Sequence, residues 1–115
     1  MVIKIEDMKS EQRERMRGGE GTVGLLSIVP ADDLPAKARL FSVVTLQKGC
    51  SIGSHIHENE TEIFYILEGE GMLNDNGVNK TLRAGDCNVC PSGHSHAIAN
   101  EKEEPLKFIA AIVLD

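Results

Sequence analysis

The arrangement of apolar and polar positions divides the chain in two. From Thr22 onward, short apolar runs rich in β-branched residues alternate with turn residues, and none is long enough for a buried helix. Thr22–Val29 is one such run, closed by a loop from Pro30 to Pro35. Ala38–Gln47 follows with Phe41, Val43, Val44 and Leu46, and then Glu62–Leu67 with Ile63, Phe64, Tyr65 and Ile66. Asp75-Asn76-Gly77 is a strong turn signal that joins Gly71–Asn74 to Val78–Leu82 as a hairpin. Gly85–Cys90, His96–Asn100 and Leu106–Leu114 complete the set. Strands at this spacing indicate an all-β sandwich or barrel.

Residues 1–21 read differently, as an extended arm or a short helix. Met8 to Arg17 tolerates a helix but has almost no apolar face to bury, and Gly18, Gly19 and Gly21 break it. The expected organisation is therefore an N-terminal arm, 1–21, and one β-barrel domain, 22–115. There is no internal repeat, low-complexity tract or linker.

A chain of 115 residues has room for one core. Hydrophobic residues make up 41% and charged residues 26%, the balance of an ordinary globular protein. Aromatic content is only 3%, too little for a base-stacking surface, and a net charge of −6 works against a polyphosphate partner. Arg13, Arg15 and Arg17 are interleaved with Glu11, Glu14 and Glu20, which makes a solvated mixed-charge face and not a nucleic-acid patch. No stretch approaches the ~18 apolar residues of a membrane span. Lys4, Glu6, Asp7 and Lys9 leave no apolar signal region near Met1, so a cytoplasmic protein is expected. Three cysteines, an odd number, fit reduced thiols. Cys87 and Cys90 form a C-x-x-C pair, but on a strand residues three apart face opposite ways, so packing accounts for them better than redox or zinc chemistry.

All four histidines fall in two short segments. His55 and His57 are two apart, so on a strand both imidazoles share one face. Glu62 opens the next apolar strand, which a short turn is expected to bring back antiparallel, so that two imidazoles and a carboxylate converge. In the second segment the Pro91-Ser92-Gly93 turn ends one strand and His96 opens another.

At these residues the chain resembles the cupin superfamily. Gly49, His55, His57, Glu62 and Gly69 fit the motif G(X)5HXH(X)4E(X)6G, and Gly85, Pro91, Gly93, His96 and Asn100 fit its companion G(X)5PXG(X)2H(X)3N, both without gap or substitution. The resemblance implies a double-stranded β-helix, or jelly-roll barrel. It also implies that His55, His57, Glu62 and His96 ligate one metal ion. Such mixed imidazole and carboxylate ligation suits divalent Mn, Fe, Co, Ni, Cu or Zn and disfavours Ca or Mg. Four ligands leave one or two positions open for a small molecule.

Outside the motifs, His94 beside the turn is a candidate acid–base group, Arg39 a candidate anion clamp, and Glu60 a carboxylate at the mouth. Two functions remain open. One is a metal-dependent enzyme of dioxygenase, decarboxylase or isomerase type, acting on a small oxygenated or carboxylate metabolite and similar to stand-alone oxalate-decarboxylase-like cupins. The other is a non-catalytic sensor or storage module. Open sheet edges, and the alternating Val2-Ile3-Lys4-Ile5, lead to the expectation of a homodimer.

Overall fold

The computed structural model describes residues 1–115. Ten strands form two antiparallel sheets: β1 Lys9–Glu14, β2 Thr22–Ser27, β3 Ala38–Leu46, β4 Ser51–Ile56, β5 Glu60–Glu68, β6 Glu70–Asp75, β7 Val78–Arg83, β8 Cys87–Cys90, β9 Ser95–Ala99 and β10 Leu106–Leu114. One sheet has the order β1-β2-β3-β10-β5-β8 and the other β4-β9-β6-β7. The two face each other around one core, the jelly-roll arrangement, although the sheets do not close into a continuous barrel. No helix is long and apolar enough to cross a membrane.

Register stacks the inward residues of the six-stranded sheet into layers. Val23, Leu46 and Leu106 share the first layer, and Leu25, Val44, Phe108 and Ile66 the second, all buried. Side chains of this kind stabilise by about 1.5–3 kcal/mol each when fully buried, and these two layers fill the space between the sheets. The third layer is Ser27, Ser42, Ala110, Phe64 and Asn88. Three of its five members are small, so the packing opens there into a cavity. Leu40, Ile112, Glu62 and Cys90 form the fourth layer.

Side chains alternate along β5, with Phe64 buried and Tyr65 exposed. Cys87 is exposed and Cys90 buried, so the C-x-x-C pair does face two ways, and all three thiols are unpaired. The Asn76-Gly77 hairpin joins β6 to β7. Two features depart from the sequence reading. Strand β5 does not pair with β4: the turn at residues 57–59 crosses between the sheets, so Glu62 meets the histidines face to face across the core. Within the N-terminal 21 residues, Lys9–Glu14 is neither free arm nor helix but β1, paired along its whole length with β2. All six of its residues are exposed, which is why no apolar periodicity announces it.

Candidate metal centre

Strand β4 delivers His55, and His57 lies one residue past its end; β9 delivers His96 opposite His55 in register. Glu62 comes from β5 in the facing sheet. Glu62 Oε1 lies 2.9 Å from Nε2 of His57, 2.9 Å from Nε2 of His96 and 3.5 Å from Nε2 of His55. The Nε2 atoms of His57 and His96 are 3.1 Å apart, and the four candidate ligand atoms lie within 4.8 Å of one another.

The other nitrogen of each ring is anchored. Nδ1–H of His55 donates to the Gly53 carbonyl (2.8 Å), that of His57 to Glu60 (2.6 Å) and that of His96 to Asn88 Oδ1 (2.8 Å). With the ring protons on Nδ1, each neutral imidazole turns an Nε2 lone pair inward. Three lone pairs and a carboxylate oxygen then point at one another in a buried space. That arrangement repels itself unless a cation sits among the four atoms. The donor set and its outer hydrogen bonds therefore fit a divalent metal.

Packing holds the rings in place. Phe64 stacks on His96 with ring centroids 4.4 Å apart and planes 10° from parallel. The loops carrying the ligands are clasped: His57 N–H donates to the His94 carbonyl, Gly93 N–H to the His57 carbonyl, and Asn59 N–H to Ser92 Oγ. Gly69 lies where a Cβ would come within 2.4 Å of the Pro105 carbonyl, so the close approach of β5–β6 to β10 requires glycine there. Asn100 donates to the carbonyls of Leu46 and Glu104, tying β9 to β3.

The electrostatics follow from burial and these contacts. Burial would raise the Glu62 carboxyl, but with no ion bound and a second proton on the inward Nε2 atoms, hydrogen bonds from His55 and His96 and the charges of His96 and His57 outweigh it and hold it at about 2. Burial lowers His96 below the usual imidazole value, against the opposing pull of Glu62. The fork of Arg39 on Glu60 (2.9 and 2.8 Å), with the bond from His57, holds that carboxyl below its ordinary range, while Glu60 raises Arg39.

Of the remaining sequence candidates, Glu60 and Arg39 lie beside the centre and His94 does not face it. His94 is exposed; its backbone, not its ring, serves the site. Arg39 does line the cavity, though its guanidinium is engaged by Glu60. Asn88 is an orienting residue missed in the sequence; the signal was a polar residue at an inward position two before Cys90 on β8.

A family model, the cupin domain, matches residues 42–112. The chain is a cupin. Over 114 residues it is 41% identical to an oxalate-binding protein of Thermotoga maritima, covering 99% of this chain and 94% of that protein. It superposes on the crystal structure of a predicted oxalate decarboxylase from Thermotoga maritima with a TM-score of 0.94 and 41% identity, over 100% of both chains. A sugar phosphate isomerase of the cupin superfamily from Silicibacter pomeroyi shares the fold at TM-score 0.80 and 20% identity, over 100% of this chain and 76% of that one.

Proposed function

We propose that this cupin holds one divalent transition-metal ion on His55, His57, Glu62 and His96 and binds a small carboxylate or oxygenated metabolite on it, as a metal-dependent enzyme of dioxygenase, decarboxylase or isomerase type. The observation that carries the reading is the inward turn of three Nε2 atoms onto Glu62 Oε1, with every Nδ1–H committed elsewhere. When bound, such an ion supplies Lewis-acid stabilisation of negative charge on a carboxylate or enolate oxygen. The protein orients that ion through Gly53, Glu60 and Asn88, excludes water with Phe64 and Ile52, and opens one side of the centre onto the cavity. A cytoplasmic home suits three unpaired thiols.

Metal analysis of the purified protein tests this. About one ion per chain is expected; His57→Ala or His96→Ala loses it and His94→Ala keeps it. Full occupancy in both ligand variants would defeat the assignment. A second reading, a binding or storage module, is favoured by the name of the Thermotoga relative and by the engagement of the carboxylates around the cavity. Glu11 pairs with Arg13 and Glu60 with Arg39, so neither is a free acid or base. A panel of small carboxylates, followed by thermal shift and by turnover, separates the two: shifts without turnover in any metal form select the module.

A further inference from the structure

The cavity beside the metal centre measures about 570 Å³, equivalent to about twenty waters at ~30 Å³ each. A two-carbon diacid on the metal would occupy a minor part of it. The space exists because the third layer of the six-stranded sheet is small, Ser27, Ser42 and Ala110 in adjacent register, where the second layer has Leu25, Val44 and Phe108. Its chemistry is mixed. Ser42 is 1% exposed and lines the cavity, and no protein group is hydrogen-bonded to its hydroxyl, which therefore opens into the cavity. Leu40, Val44 and Ile112 supply apolar walls.

Charge at the rim is uneven. Three arginines line the cavity. Arg13 is paired with Glu11 and Arg39 with Glu60, whereas Arg17 has no ion-pair partner. Arg17 is also held there at a conformational cost. It has φ +55° in the turn Met16–Gly18, and Arg15 before it has φ +49°, a region that costs roughly 1–2 kcal/mol for a residue with a Cβ. The turn is seated on β4 at Gly53, where a Cβ would fall 2.1 Å from the Arg17 carbonyl oxygen. Gly53 is also the residue whose carbonyl anchors His55. The segment bearing Arg17 and the strand bearing His55 are thus in direct backbone contact.

The geometry points to an elongated, oxygen-bearing dianion as the ligand, a hydroxylated dicarboxylate of about four to six carbons, with one carboxylate on the metal and the far anionic group at Arg17. A divalent ion beside Glu62 leaves one net positive charge at the centre, and Arg17 adds a second at the rim, so a dianion balances the site. The body of the ligand lies over Ala110, within reach of Ser42. This inference rests on the metal reading above and narrows its ligand class.

The test uses the full chain loaded with Mn²⁺ and begins by measuring metal content. Calorimetry then compares oxalate, 2-hydroxypentanoate and the 2-hydroxy diacids of four, five and six carbons. At least one diacid is expected to bind tenfold or more tighter than both oxalate and the monoacid. Arg17→Gln, on an exposed turn, should abolish that preference while leaving the metal content and the affinity for the monoacid unchanged. Ser42→Val should weaken the longer diacids and spare oxalate. Oxalate as the tightest ligand, no advantage of any diacid over the monoacid, or a preference that survives Arg17→Gln would each overturn the proposal while the metal reading stands. If Mn²⁺ is not taken up, the same first step is run with Fe²⁺, Co²⁺, Ni²⁺, Cu²⁺ and Zn²⁺, and failure to bind any of them would remove the metal reading and this inference together.

Discussion

Glu60 accepts a 2.6 Å hydrogen bond from Nδ1–H of His57, and the same carboxylate is gripped on both oxygens by Arg39. The ring of His57 is therefore oriented by an anion that is itself held in place. Such an outer partner fixes the tautomer and raises the basicity of the inward nitrogen, and its loss typically weakens metal binding 10–100-fold. Glu60→Gln should lower metal affinity by about that factor, and Arg39→Ala by less, because Glu60 stays ionised without it. Competition with a chelator of known strength measures both. Wild-type affinity in Glu60→Gln would show that the contact does not support a ligand.

Acid should destabilise the metal-free protein. The Glu62 carboxyl titrates at about 2 when folded against 4.5 when free. A lowered folded pKa contributes stability that is present above the unfolded value and lost as pH falls through the folded one, here from 4.5 to about 2. The contribution is about 3 kcal/mol at 1.36 kcal/mol per pKa unit. His96 is also lowered in the fold, from 6.5, so its contribution begins to fade at higher pH, below 6.5. Thermal melts in chelator should show Tm falling from pH 6.5 downward, and Glu62→Gln should flatten the limb below 4.5. An unchanged slope in that variant would place the acid sensitivity elsewhere.

The thiols should differ in reactivity. Burial, with the nearby charges of Glu62 and Asp75, raises Cys90 to about 11, and Cys90 is 1% exposed, whereas Cys87 is exposed. At pH 8 an alkylating reagent should leave Cys90 untouched until denaturant is added, and should modify Cys87 wherever the outer sheet face that carries it is free, as in the monomeric variant described below. Peptide mapping by mass spectrometry reads the sites directly. A Cys87–Cys90 disulfide in non-reduced material would contradict the opposite orientations of the two side chains.

How much of this was legible beforehand depends on the kind of signal each residue carries. Glu62, Phe64 and Ile66 point inward on β5 because one face of that strand is buried, and a period of two is visible in the residues themselves. The ligand set was legible because its members lie in two short segments with fixed spacing. Strand β1, by contrast, reads Lys-Ser-Glu-Gln-Arg-Glu with both faces in solvent, and pairing with β2 leaves no periodic trace. The role of Glu60 depends on a ring and a guanidinium, the latter 21 residues away. The cavity arises from Ser27, Ser42 and Ala110, which are unremarkable in sequence and become adjacent only through register.

The assembly is the last expectation to test, and the structure moves its basis. Val2 to Lys4 form no strand, and β1 already covers the edge of β2 within the chain. The outer face of the six-stranded sheet gives a better reason for a dimer. One register row across it reads Leu26, Val43, Ile109, Tyr65 and Cys87, and the next Phe41, Ala111, Ile63 and Val89, with no charge in either. Outward faces of antiparallel sheets are ordinarily polar, as on β7, where Asn79, Thr81 and Arg83 are exposed. Five strands at about 4.8 Å spacing make this face roughly 20 Å across, a width on which an interface of about 800 Å² per partner can be built. An uncharged, largely apolar surface can pair with its own copy under two-fold symmetry. We therefore predict a homodimer that pairs these faces. Light scattering at micromolar concentration should give twice the chain mass, and Tyr65→Lys with Val89→Lys should give a monomer that still binds metal, since both side chains point away from the centre. A monomeric wild type would refute the dimer, and a double variant that remains dimeric would refute this face as its site.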